Sequence, residues 1–122
     1  MSEQELPEPG QGSEILDQLY AVIEQRRDAD PSESWTAKLL HKGLPKICQK
    51  VGEEATEVVV AALAESREEL LEESADLLYH LLVLWAAKEV QPQEVYDVLY
   101  RRRIEMDIKK KKQKKMEKKQ GS

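Results

Sequence analysis

Five carboxylates stand at fixed spacings in two short segments. Glu53, Glu54 and Glu57 lie in Lys50-Val-Gly-Glu-Glu-Ala-Thr-Glu57, and Glu73 and Asp76 in Glu73-Ser-Ala-Asp76. On a helix, residues three or four apart share a face, so each segment can turn a pair of carboxylates to one side. Two such faces set opposite each other would surround a hard divalent cation. Oxygen-only ligands favour Mg²⁺, with Mn²⁺ as an alternative, and argue against Zn²⁺. Mg²⁺ keeps several waters and is completed by substrate phosphates, so a site of this kind implies a nucleotide or another phosphorylated substrate. Lys50 and Lys46, one and two turns before the glutamates, would then meet phosphate oxygens. The competing reading is a solvated helix face laced by pairs such as Lys50–Glu54. The spacings alone leave both readings open.

The elements that would carry these residues are all helical. Ile15, Leu16, Leu19, Val22 and Ile23 recur at helical spacing and predict a first helix from Ser13 to about Arg27. Asp28–Glu33 reads as a loop, Ser34 as the cap of a short helix over Trp35–His41, and Gly43 as its end. Pro45 belongs to the first turn of a longer helix reaching about Glu65. Gly52 weakens that helix, since glycine costs about 1 kcal/mol against alanine in a helix interior. Ser66-Arg67-Glu68-Glu69 has the form of a capping box and opens a helix to about Lys88. Pro92 starts a final helix with Val95, Val98 and Leu99, and Asp107–Lys119 is a lysine-dominated extension, helical or disordered. No strand pattern competes. The predicted class is all-α, a bundle of four to five helices.

Helical geometry sharpens the placement. With Glu53 at zero and about 100° per residue, Lys46 falls near 20°, Glu57 near 40°, Lys50 near 60° and Glu54 near 100°. Ile47, Val51 and Val58 lie just beyond, at roughly 120–160°. On the next helix Glu73 and Asp76 share an edge with Leu77 and Leu84, while leucines cover much of the remaining circumference. A helix apolar in so many directions must be surrounded by partners. Carboxylates at such a seam would be costly unless a cation compensates them. The same apolar excess predicts a homodimer or higher oligomer, with the seam along this helix and the last one. His80, one turn after Asp76, is expected to hydrogen-bond that aspartate rather than ligate metal. Tyr79 and Trp85 are expected in the core or an interface.

Composition narrows the field. Residues 1–100 hold 8 basic and 21 acidic side chains, a net of −13, and residues 101–122 hold 11 and 3, a net of +8, giving −5 for the 122-residue chain. The single cysteine, Cys48, excludes a disulfide framework and fits a reducing compartment. The longest uncharged apolar stretch, Leu77–Ala87, has eleven residues, short of the roughly 20 that span a bilayer. Met1–Gly12 is acidic, carries no apolar run and is expected to be disordered. A cytoplasmic protein with no membrane partner follows. The domain is expected over residues 13–105, with a lysine-rich tail from 106 to 122. No aromatic residue interleaves the tail lysines, so base recognition is unsupported and a nucleic-acid partner is not expected.

The two carboxylate segments together match the EExxE…ExxD signature of the all-α NTP pyrophosphatase (MazG-like) superfamily. Ser34-Trp-Thr36, Gly43-Leu-Pro-Lys-Ile47, Gln49-Lys-Val-Gly-Glu-Glu54 and Glu73-Ser-Ala-Asp-Leu-Leu-Tyr-His80 more closely resemble the phosphoribosyl-ATP pyrophosphohydrolase family. The resemblance covers roughly Ile15–Arg102. It implies a MazG-like bundle and Mg²⁺-dependent hydrolysis of phosphoribosyl-ATP to phosphoribosyl-AMP and pyrophosphate, the second step of histidine biosynthesis. By motif position it makes Glu54, Glu57, Glu73 and Asp76 the metal ligands. Glu53 becomes an additional acid, binding a second metal or orienting the attacking water. Ser34, Trp35 and Thr36 would contact ribose or phosphate, although a helix cap beside a packed indole explains them equally well. Two alternatives remain at this point: a related house-cleaning nucleoside triphosphate pyrophosphatase, and a non-catalytic helical module with a basic tail.

Overall fold

Two serines fix two of the helix starts. Ser34 Oγ accepts the Ala37 amide at 3.1 Å and Ser66 Oγ accepts the Glu69 amide at 3.2 Å. Each satisfies an amide that has no partner inside its own helix. In this computed structural model, which describes residues 12–120, the helices are α1 (Glu14–Gln25), α2 (Trp35–Lys42), α3 (Leu44–Ala64), α4 (Arg67–Ala87) and α5 (Pro92–Gln120). No strand occurs among the described residues. The all-α prediction holds, with boundaries within two residues of those expected, and the lysine-rich extension, expected as helical or disordered, is a continuation of α5. The expected disorder of Met1–Gly12 falls, apart from Gly12, outside the described residues.

Gly43 separates α2 from α3 at φ 93°, in the left-handed region that favours glycine. Its amide closes α2 on the Leu39 carbonyl, and its own carbonyl receives Ile47 to open α3. Gly52 does not interrupt α3, and nothing lies within 4 Å of where its Cβ would be. α4 ends differently, on Glu89 at φ 58°. The Val90 amide bonds the Trp85 carbonyl and the Glu89 amide the Ala86 carbonyl, the paired bonds of a Schellman motif. Two long-range contacts pin this end: Tyr20 Oη donates to the Val90 carbonyl at 2.8 Å, and Arg27 Nη2 to the Ala86 carbonyl at 2.7 Å.

Residues up to Pro92 form one unit and those from Gln93 a second. In the first, α3 packs most extensively on α4, α1 also lies against α4, and α2 touches both α3 and α4. The two-residue link Glu65–Ser66 makes α3 and α4 an antiparallel pair. Tyr20, Ile23, Leu39, Ile47, Leu82, Val83 and Ala86 form the core, with Tyr79 and Trp85 packed at its margin. Each fully buried aliphatic side chain there contributes about 1.5–3 kcal/mol by leaving water. In the second unit, α5 carries an Arg103 guanidinium 5.0 Å over the Tyr100 ring, and Gln93 bonds Asp97.

Capping gives a simple test of these boundaries. Ser66→Ala should cost about 1 kcal/mol of unfolding free energy. Ser13→Ala should cost close to nothing, because Ser13 makes no side-chain bond to its helix. Urea denaturation of the two variants would show equal losses if the assignment of the caps were wrong.

Candidate active site

The buried residues of α3 are Ile47, Glu54 and Ala61, seven apart. Seven residues are close to two full turns, so Glu54 occupies a core position between two apolar neighbours and is only 9% exposed. Glu57, one turn on, is exposed at the edge of the same seam. α4 supplies Glu73, half-buried, and His80 two turns later, 7% exposed. One carboxylate oxygen from each of Glu54, Glu57 and Glu73 lies within 4.8 Å of the other two.

Three acids in that space cannot all be ionised without cost. Burial pushes the Glu54 carboxyl above its ordinary value, and the neighbouring Glu57 and Asp76 charges push it further, against a smaller opposing effect of His80. Glu73 is pushed up to about 7, first by a hydrogen bond with Glu57, then by burial and by the charges of Glu57, Asp76 and Glu54. Glu54 Oε2 and Glu73 Oε2 are buried without a hydrogen-bond partner. Buried polar atoms are nearly always satisfied. Two orphaned carboxylate oxygens beside a third carboxylate fit a divalent cation, which lowers the energy of every ionised group around it.

The other residues singled out in the sequence fall in different places. Asp76 is exposed and outside the three-acid group, although its charge acts on both Glu54 and Glu73. Glu53 points to another side of α3. It accepts from Gln49 Nε2 at 2.8 Å and meets Lys50 Nζ at 3.6 Å, and the Gln49 bond above all holds its carboxyl below the ordinary value. Lys50 also lies 5.8 Å over the Trp35 ring, with Lys38 at 6.0 Å. Lys46 is half-buried and acts on Glu53 through its charge.

Ser34 is the cap described above. The Trp35 indole is 46% exposed and flanked by two ammonium groups, so it is not the packed indole that the alternative to substrate contact required. Thr36 shares a hydrogen bond with the Tyr79 hydroxyl, which ties the start of α2 to α4 beside His80. Tyr79 therefore has a positioning part that its apolar spacing did not announce. His80 departs from expectation too: Nδ1 lies 2.7 Å from the Asp76 backbone carbonyl, not from its carboxylate. A side chain four residues along a helix reaches back to that carbonyl as readily as to the side chain. A cavity of about 490 Å³ opens elsewhere, between Arg27, Leu40, His41 and Leu44, and includes none of the acids.

The raised acids predict a pH dependence. A carboxyl whose folded value stands above its unfolded value binds more protons in the native state, so stability falls as pH rises between the two values. For Glu73 that window runs from 4.5 to about 7. Metal-free protein should melt at progressively lower temperature from about pH 5 to about pH 8, and Glu73→Gln should flatten the slope. A millimolar divalent cation at the upper pH should restore the loss, and a slope that is unchanged by both would contradict the electrostatic picture.

Comparison with known proteins agrees with the motifs. Residues 16–103 match the family model described as phosphoribosyl-ATP pyrophosphohydrolase. A phosphoribosyl-ATP pyrophosphatase of Paramagnetospirillum magneticum is 58% identical over 92 residues, covering 75% of this chain and 84% of the relative. One from Rhodospirillum rubrum is 57% identical over 94 residues, covering 77% and 80%. One from Sulfurisphaera tokodaii is 53% identical over 90 residues, covering 74% and 96%. With so much of its helical unit matched, this chain belongs to the phosphoribosyl-ATP pyrophosphohydrolase family.

Proposed function

We propose that the protein hydrolyses phosphoribosyl-ATP to phosphoribosyl-AMP and pyrophosphate, the second step of histidine biosynthesis. The observation that carries this is the opposed set of Glu54, Glu57 and Glu73, two of them with unpartnered buried oxygens, in a member of this family. Glu54, Glu57 and Glu73, with Asp76 at their edge, would hold Mg²⁺, with Mn²⁺ as the alternative. When bound, the ion neutralises charge on the triphosphate and on the departing pyrophosphate. Lys46 and Lys50 bind phosphate oxygens, and the exposed Trp35 face, with Ser34 and Thr36 at its base, receives the nucleoside. A water oxygen forms the new bond to phosphorus while the anhydride P–O bond breaks, its electron pair leaving with pyrophosphate. A carboxylate of the site takes the water's proton. Glu53, held by Gln49 and Lys50, is the additional acid. No covalent nucleophile is needed, and Cys48 takes no part.

The active protein is a homodimer or larger. Val59, Val60 and Leu63 on α3 and Leu71 and Leu78 on α4 are 45–84% exposed, apolar side chains on two packed helices that a second copy would cover. The catalytic domain is residues 13–105, and the lysine-rich segment from 106 is an appendage outside the chemistry. No helix among the described residues is long and apolar enough to cross a membrane, and the lone cysteine supports a cytoplasmic location.

Pyrophosphate release from phosphoribosyl-ATP, ATP and dUTP in the presence of Mg²⁺ tests the assignment. Turnover of phosphoribosyl-ATP alone is expected. dUTP turnover would transfer the protein to the house-cleaning relatives, and no release from any substrate by folded protein would end the enzyme reading. Glu57→Gln and Asp76→Asn should abolish release while keeping the helical fold, whereas replacing Lys110, Lys111 and Lys112 with alanine should leave it intact. Sedimentation should give at least twice the 14.0 kDa chain mass, reduced to that mass by Leu63→Glu.

A further inference from the structure

His80 carries an atom that the reaction so far leaves unused. Its Nδ1 lies 2.7 Å from the Asp76 carbonyl oxygen. That oxygen can only accept, so Nδ1 must carry the proton, and in the neutral ring Nε2 is then a bare lone pair. Nε2 is buried and has no hydrogen-bond partner. An orphaned acceptor of this kind is costly, and the imidazole is held in place by the Tyr79 ring packed at a steep angle to it, centroids 5.0 Å apart. The ring lies on the Glu73 side of α4, two turns on, and near enough to Glu54 that in its protonated form it would lower that carboxyl's proton affinity. It is not part of the three-acid group, and a hard cation selects oxygen, so direct ligation is not its role. What satisfies a lone pair beside orphaned carboxylate oxygens is an O–H group, and a water has two to share.

We propose that His80 is a catalytic residue that orients the attacking water: Nε2 accepts one O–H while a carboxylate of the Glu54–Glu57–Glu73 group accepts the other. The oxygen lone pair is then turned away from both acceptors, toward the phosphorus. The carboxylate takes the proton when the water attacks, and His80 stays in one tautomer throughout. The backbone carbonyl of Asp76 sets that tautomer, so the same turn of helix supplies an acid and the orientation of the imidazole. This inference rests on the hydrolytic reading above.

Two measurements test it. The first follows ¹⁵N-labelled histidine by NMR, with His41→Gln separating the two histidine signals. His80 should show the Nδ1–H tautomer in metal-free protein, and Mg²⁺ alone should move its Nε2 resonance upfield as the lone pair gains a donor. An Nε2–H tautomer, no movement with Mg²⁺, or movement only when nucleotide is added would overturn the proposal. The second is kinetic. His80→Asn keeps an N–H for the Asp76 carbonyl but lacks Nε2, and kcat should fall about 10²-fold or more with KM and Mg²⁺ affinity nearly unchanged. His80→Gln, whose amide oxygen reaches the Nε2 position, should recover at least about tenfold of that loss. Wild-type kcat in His80→Asn, or equal losses in both variants, would leave His80 a packing residue. If the wild type does not hydrolyse phosphoribosyl-ATP, the functional assignment fails, and the Mg²⁺-driven Nε2 shift still decides for or against a water at His80.

Discussion

Carboxylates buried at a helix seam are the constraint on which the rest of this structure turns. Glu54 takes a position on α3 that would otherwise go to an apolar residue, between Ile47 and Ala61. Glu73 faces it from α4 with one oxygen unsatisfied. Without a cation the cluster relieves itself by holding protons, which is why Glu54 is raised and Glu73 stands near 7. In the proposed site a proton and a divalent cation would therefore compete for one place. The fold tolerates this because Leu39, Ile47, Leu82 and Val83 are packed dry within the same helical unit. Their burial offsets what the acids cost.

The connections around the seam serve the same geometry. Gly43 lets α2 turn straight into α3, which brings Lys50 to 5.8 Å over the Trp35 ring, where Lys38 of the same helix already lies at 6.0 Å. The Thr36–Tyr79 hydrogen bond fixes α2 on α4. At the far end, Arg27 and Tyr20 tie α1 and the chain after α4 together. The acids of the proposed site are thus held on helices and can be positioned before substrate arrives. Preorganised charge of this kind is worth most where water is excluded.

Much of this was legible in the chain. The wheel angles put Glu54 at the margin of the polar face next to Ile47, though its burial was not read from them, and Ser34, Gly43 and Ser66 marked their helix ends. The pairing of Glu57 with Glu73 needed only that α3 and α4 be antiparallel, which the Glu65–Ser66 link dictates. Other features needed coordinates. Whether His80 reaches the Asp76 carboxylate or its carbonyl is a matter of one rotamer, and period alone does not choose. Glu53 and Glu54 are adjacent in sequence, yet about 100° of rotation puts one beside Gln49 and the other in the core. Glu89 at a left-handed helix end is invisible in sequence, since that position usually calls for glycine. α5 extends through the lysine-rich segment, which composition left as helical or disordered.

The exchange of proton for cation can be measured without substrate. Calorimetric titration of Mg²⁺ into the protein, repeated in buffers of different ionisation enthalpy, counts protons released on binding. With Glu73 near 7, release should approach about one proton per site near pH 6 and fall toward none by about pH 9. Binding that releases no proton at pH 6, or no binding of Mg²⁺ at any pH, would contradict the claim that these acids are a cation site held ready by protonation.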